Sequence, residues 1–257
     1  MRAHIITAAI VANVFTALTA AQCSREILVA ATDKLLEAQI AGKPDTLGSL
    51  DGVGYLEQFK TADVKTGILA TAVKLDFNRS LHDATQCSTY TEMISATGEH
   101  PYVIGTQMHL TTDGKIANLS TLVTDKGDWL FNATGTYYWA SREKWDPIPE
   151  DQRDSRAVIQ AAADAYADIF NNKTVKVPWG TPCARLEGGS YTGNGSANDR
   201  CDVGIPNGVQ LKNRRYVIDE TLGAVDVFID FATVPDSHEF RVEKGKIRYV
   251  HTITVMN

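Results

Sequence analysis

The sequence predicts an α+β protein built as a tandem repeat, each unit a helix followed by an antiparallel sheet. Three observations carry this. "CSREILVAATDKLLEAQ" from Cys23 and "DSRAVIQAAADAYADIF" from Asp154 place Ser24-Arg25 on Ser155-Arg156, an offset of 131 (155 − 24). Gly-Lys-Ile recurs near the end of each half, at 114–116 and 245–247, again 131 apart. "YLEQF" at Tyr55 matches "RLEGG" at Arg185 with an offset of 130. Common order and spacing point to an internal repeat.

Taken in chain order, residues 1–21 read as a secretory signal. Arg2 supplies the basic start, residues 5–17 are mostly apolar, and Thr19-Ala20-Ala21 offers a cleavage site. The first unit is then residues 22–149, linker included, and the second is 150–257. Each opens on an alanine-rich helix; in the second, Val158, Ala161, Ala162, Ala165 and Ile169 fall at helical spacing. An irregular section and then strands follow, closing in hairpins at Gly114 and Gly245. "AVDVFIDFA" from Ala224 alternates like a strand. In the linker "SREKWDPIPEDQRD", Pro147 and Pro149 disfavour regular structure.

Composition narrows the partners. The net charge is −6 and no basic block occurs, which argues against nucleic-acid binding. No segment after the signal is apolar enough to span a bilayer. Four cysteines without a CxxC favour disulfides over zinc in an oxidising compartment. Proximity favours Cys183–Cys201, leaving Cys23–Cys87. Five sequons begin at Asn78, Asn118, Asn132, Asn172 and Asn194 and suggest glycans. Phosphate loops, dinucleotide glycines, GxSxG and HExxH are all absent, so no cofactor or metal is expected.

The opening helix at Ser155, the strand around "ARLEGG" and the hairpin "HEFRVEKGKIRYVHTITV" resemble, in pattern, the nuclear-transport-factor-two-like cone of SnoaL-like cyclases and ketosteroid isomerases. That resemblance implies a curved sheet wrapped around a helix, a pocket, and acid–base residues on late strands. "GDWLFNATGTYYWASREKW" and "VPWGTPCARLEGG" resemble segments of a group of largely uncharacterised secreted fungal proteins. This implies a compartment and a gene-cluster setting, but no reaction.

Alternation places His238 with Phe240 and Val242, and His251 with Tyr249 and Ile253, so both imidazoles are expected on the apolar, pocket side. Buried imidazoles suit acid–base work near neutrality, although a lone histidine on such a face is commonly a hydrogen-bonded core residue. The first unit has Thr106 (Gln107 without the turn gap) and Ser120 at these places, which puts any active site in the second. There Asn118 takes the place of Tyr249, in conflict with an inward-facing sequon. Asp226 and Asp230, on one face with Phe228, are candidates to orient a ring or act as base, or else form a solvated face. Tyr166, where the first helix has Leu35, is a candidate oxyanion donor or a core residue. Arg185 and Glu187 pair on one strand face, and Arg214-Arg215 reads as a solvated turn or an anion site. The aromatics from Trp129 to Trp145 either wedge the units together or stack on sugars. The expectation is a secreted, cofactor-free enzyme that cyclises, isomerises or dehydrates a small apolar secondary metabolite, with His238 and His251 as acid and base. The alternatives are a non-catalytic extracellular glycoprotein that binds a carbohydrate or lipophilic ligand, and a purely structural glycoprotein.

Overall fold

Ser24 and Ser155 each precede an alanine-rich run, and each stands at the start of a helix. The computed structural model describes residues 23–256; the expected signal sequence lies outside them. Helix α1 spans Arg25–Ala41, α2 spans Ala133–Ala140 inside the aromatic segment, and α3 spans Arg156–Ile169. The Ser24 hydroxyl caps α1 by accepting from the Ile27 amide. The helix stops at Gly42, with φ +61°, where a Cβ would lie 2.4 Å from the Ala72 amide nitrogen. Both the left-handed backbone and the close approach require glycine. The buried face of α3 is Ile159, Ala162, Ala163, Tyr166 and Ala167, while Val158 is exposed. The expected face is therefore rotated by one residue. Alanines surround this helix, so its larger residues Ile159 and Tyr166 decide which side is buried.

Each half contributes one six-stranded sheet. The first holds β1 (Gly54–Glu57), β2 (Lys60–Thr61), β3 (Phe77–Asp83), β4 (Ser88–Ser95), β5 (Tyr102–Leu110) and β6 (Ile116–Thr124), in the order β2-β1-β6-β5-β4-β3. The second holds β7 (Trp179–Glu187), β8 (Ser190–Tyr191), β9 (Leu211–Asp219), β10 (Ala224–Phe231), β11 (Val234–Glu243) and β12 (Lys246–Thr254), in the order β8-β7-β12-β11-β10-β9. The order is the same, consistent with a two-unit repeat. The sheets are mixed rather than wholly antiparallel, because β1 runs parallel to β6 and β7 parallel to β12.

Register extends the match to single residues. Both closing hairpins carry a bulge, at His109/Leu110 and at Arg241/Val242. Counting from it, Thr106 occupies the place of His238, Gln107 that of Glu239, Ser120 that of His251 and Asn118 that of Tyr249.

The chain stacks in four layers: helix, sheet, sheet, helix. One apolar cluster joins α3 to the second sheet through Ile159, Val227, Phe240 and Val250. Another joins the two sheets through Leu81, Tyr90, Leu122, Phe228 and Ile253. Leu28, Leu35, Met108 and Leu119 pack α1 on the first sheet. Hence β4 is buried along its whole length. The halves also exchange ion pairs reciprocally. Arg25 at the start of α1 grips Asp219 of β9 through two bonds of 2.8 Å, and Arg156 at the start of α3 grips Asp83 of β3 through two of 2.7 Å. Asp219 also accepts from the His82 amide, and Asp83 from the Ile218 amide. Such self-complementary exchange is the geometry of a two-fold interface.

Disulfides join Cys23 to Cys87 and Cys183 to Cys201, as proximity predicts. All five sequon asparagines are exposed, which resolves the conflict at Asn118: the equivalent Tyr249 is covered by the stacked ring of Trp145, 5.8 Å away. Among the described residues no helix is long and apolar enough to cross a membrane. Two disulfides and this absence are compatible with secretion.

Candidate functional site: a cavity under helix α3

Between α3 and the second sheet lies a cavity of about 330 Å³, within the range of small-ligand sites. Tyr166 and Phe170 enter it from the helix end, Arg185 and Glu187 from β7, His238 from β11, and Thr252 and Thr254 from β12. Trp129 and Met256, each about half exposed, stand at its rim. Its walls are largely apolar. Two buried polar atoms of the lining, Tyr166 Oη and Thr252 Oγ1, have no hydrogen-bond partner, while Arg185 Nε and His238 Nδ1 lie beside carboxylates without hydrogen-bond alignment. Unpaired buried polar atoms are rare in native proteins.

His238 is 3% exposed and its ring centre lies 5.3 Å from that of Tyr166. Its Nδ1 approaches Asp236 Oδ2 to 2.9 Å without hydrogen-bond alignment. Asp236 is held in turn by the Thr254 hydroxyl, 2.8 Å from Oδ1. Burial pushes the Tyr166 hydroxyl up; Arg185 opposes that, while Glu187 and Asp236 add to it. It therefore stays a protonated donor at neutral pH. Arg185 Nε sits 3.0 Å from Glu187 Oε1, so the expected strand-face pair forms, but inside the cavity wall.

His251 is elsewhere. Its cross-strand partner is Glu239, whereas that of His238 is Thr252, so the two imidazoles point to opposite faces of one sheet. They cannot act together on one substrate. Alternation was misleading because both faces of this sheet are buried, one by α3 and one by the other sheet, so an apolar neighbourhood does not identify the side. The bulge at Arg241/Val242 then breaks the alternation, turning Ile247 to the α3 side.

Between the sheets His251 joins a buried ionic network. Its Nδ1 lies 2.9 Å from Glu92 Oε1 and its Nε2 lies 2.7 Å from Glu143 Oε2. Arg79 Nη2 donates to Glu92 at 2.8 Å and to Glu239 at 2.6 Å, and the guanidinium lies 3.8 Å from the Trp145 ring centre. Burial alone would lower the His251 pKa, but Glu92 and Glu143 outweigh it and raise it to about 10. Burial opposes ionisation of Glu92, yet His251 and Arg79 hold it at about 2. An imidazolium locked between two carboxylates is a structural cation, not a base working near neutrality. Glu92, Glu239 and His251 also converge like metal ligands, within 4.8 Å of one another. Arg79 Nη2 lies within 3.0 Å of an atom of each, so a guanidinium already sits where an ion would.

The other candidates divide the same way. Asp226 shares a face with Phe228 as expected, but that face meets the first sheet and is not solvated. Asp226 Oδ2 accepts from Gln107 at 2.7 Å and Oδ1 from Ser237 at 2.5 Å. Burial pushes its carboxyl well above the usual carboxylate range. It stands opposite Glu239, not His238, and does not reach the cavity. Arg214 and Arg215 lie within β9, not in a turn: Arg214 pairs with Asp164 and Asp168, and Arg215 covers the Phe59 ring. The aromatic segment is divided between interior and surface. Trp145 wedges between the halves against Arg79, Tyr249 and His251, while Trp129 and Tyr138 remain exposed.

Asp236, Thr252 and the Arg79–Glu92–Glu143 network were not singled out from the sequence. The signal for the network was charge inside strand runs, most plainly Glu92 as the lone charge in "STYTEMIS", with Arg79 in "FNRSLHD".

Residues 152–254 match a family described as a domain of unknown function (DUF8021). The match takes in α3, the second sheet and most of the cavity lining. No curated protein matches the chain.

Proposed function

We propose that the protein is a secreted, cofactor-free enzyme in which the second unit forms a cone-like pocket. There it cyclises, isomerises or dehydrates a small, largely apolar metabolite. The observation that carries this is the cavity itself, about 330 Å³ with His238 and Tyr166 on its wall. His238 is the acid–base residue. With Nδ1 directed at Asp236, Nε2 is the nitrogen left to take or return a proton, as in other carboxylate-oriented imidazoles. Tyr166 donates its hydroxyl to an oxygen on which charge develops, and the dry surroundings strengthen that bond. Asp236 and Thr254 position the ring. His251 and Asp226, first expected at the site, hold the halves together instead.

Replacing the natural gene with one encoding His238→Gln, and separately Tyr166→Phe, tests this by metabolite profiling. Both variants should be secreted normally and accumulate the same compound as a deletion strain. A deletion that changes no metabolite would sink the enzyme reading. The exposed Trp129 at the rim favours a second reading, in which the same cavity binds a lipophilic ligand without converting it. In that case the His238→Gln strain would match the natural one.

A further inference from the structure

The first half fills the matching space with its own chain. Residues 67–71 pass beneath α1 and form a short 3-10 turn at Ile68–Ala70. Leu69 packs in one cluster with Leu35, Tyr55 and Met108, and Ile68 in another with Leu36, Ile104 and Val123. Polar bonds hold the segment at both ends. The Ile68 amide donates to Glu57 Oε2 at 2.8 Å, and Gln39 Nε2 donates to the carbonyls of Ile68 at 2.9 Å and Thr71 at 3.0 Å. The segment passes Glu57 so closely that a Cβ on Gly67 would lie 2.5 Å from Oε2.

The shared offsets and register carry these contact positions onto the cavity. Leu35 corresponds to Tyr166, Gln39 to Phe170, Tyr55 to Arg185, Glu57 to Glu187 and Val123 to Thr254. All five counterparts line the cavity. Even the local pairing is kept: Tyr55 donates to Glu57 at 2.5 Å, where Arg185 stands 3.0 Å from Glu187. What differs is that the second half presents open volume where the first presents a backbone amide and two aliphatic side chains.

We infer that Glu187 anchors the ligand of this cavity by accepting a hydrogen bond from a hydroxyl or amide N–H on an otherwise apolar, uncharged molecule. Glu57 accepts one from the Ile68 amide in the same way. Arg185 already balances the charge of Glu187, so a neutral donor suits it better than a cation. The inference rests on reading the cavity as a ligand site, and it adds a donor group to the substrate class.

The test is calorimetric titration of the full, glycosylated protein with 2-naphthol and with 2-methoxynaphthalene, which differ in the single donor. A hydrogen bond to a carboxylate should favour the naphthol by roughly tenfold. Glu187→Leu should reduce that preference to less than about threefold, and Glu187→Gln, which keeps an acceptor oxygen without the charge, should give an intermediate value. Near-UV circular dichroism checks the folding of each, and the Gln variant carries the test if the Leu variant does not fold. Equal affinity for the two probes, or a preference that survives both substitutions, would overturn the role of Glu187 and leave the cavity reading intact. If neither probe binds the unsubstituted protein, both fall.

Discussion

The two halves share strand order, hairpin bulge and a reciprocal Arg–Asp grip, yet they use matching positions for opposite ends. Beneath α1 the space is filled by residues 67–71; beneath α3 it is a cavity of about 330 Å³. Between the sheets the asymmetry runs the other way. Arg79 of β3 meets two carboxylates, while its counterpart Arg215 of β9 covers a ring and, among the described residues, forms no ion pair, with Nε and Nη2 unpaired. One backbone plan therefore supports a filled unit and a hollow one. The difference lies in a handful of side chains and the path of one connecting segment.

The largest effect should separate Arg79 from Arg215. Arg79→Met leaves Glu239 buried with no cation bonded to it, and such half-broken buried pairs cost about 3–5 kcal/mol. Arg215→Met removes a half-buried guanidinium that covers the Phe59 ring without a close ion pair among the described residues, worth about 1 kcal/mol or less. Urea unfolding of the two variants measures the difference. Equal losses would mean that the network adds nothing beyond packing.

Titration of the same network should show two edges. The His251 pKa is raised to about 10 in the folded state, against about 6.5 unfolded. Its stabilisation is complete below pH 6.5 and is lost as pH rises through about 10. Glu92 is lowered to about 2, so its stabilisation is present above the ordinary carboxylate value and is lost as pH falls towards 2. His82 adds to the acid edge. Burial and Arg25 depress it to about 4, so the unfolded chain takes up its proton first as pH drops below 6.5. Unfolding free energy measured against pH should decline on both sides, and His251→Gln should flatten the alkaline decline. An unchanged alkaline slope in that variant would show that His251 is neutral at pH 7.

Much of this plan is legible in the residues. Ser24, the glycines of the two hairpins, the short Cys183–Cys201 loop and the linker prolines act locally, and local signals survive into the fold; the longer Cys23–Cys87 bond follows once the short one is paired. The match of Thr106 to His238 and of Ser120 to His251 was legible too, because a repeat supplies its own alignment. What a strand could not reveal was which buried face a side chain takes. His251 and His238 carry equally apolar neighbours, and only the pairing of Glu239 with His251 separates them. The segment 67–71 was illegible for a different reason: it has no regular periodicity, and its place is set by long-range bonds from Gln39 and Glu57.

A smaller effect should set the filled unit against the hollow one. Gln39 is fully buried and serves two carbonyls of the connecting segment. Gln39→Leu strands the Thr71 carbonyl, while the Ile68 carbonyl keeps the Thr71 amide, and should cost about 1–3 kcal/mol for the one buried orphan. The counterpart Phe170→Leu trims an apolar wall of a space that is already open, and should cost about 1 kcal/mol. It should also weaken 2-methoxynaphthalene binding, whereas Gln39→Leu should leave that binding unchanged. Loss of probe binding in the Gln39 variant would mean that the two spaces communicate.

The disulfides offer the finest comparison. Cys23–Cys87 closes a separation of 64 residues and Cys183–Cys201 one of 18. Chain entropy assigns about 4 kcal/mol to the first and about 3 kcal/mol to the second, so Cys-to-Ala pairs should differ by about 1 kcal/mol in favour of the first bond. The reverse order would carry its own information. Beyond Cys201 the chain runs on to Gly204 and Pro206, which form part of the cavity wall. If Cys183→Ala/Cys201→Ala is the more damaging pair and also weakens probe binding, this bond does more than shorten an unfolded loop. It would then be holding the wall that the first half replaces with its own chain.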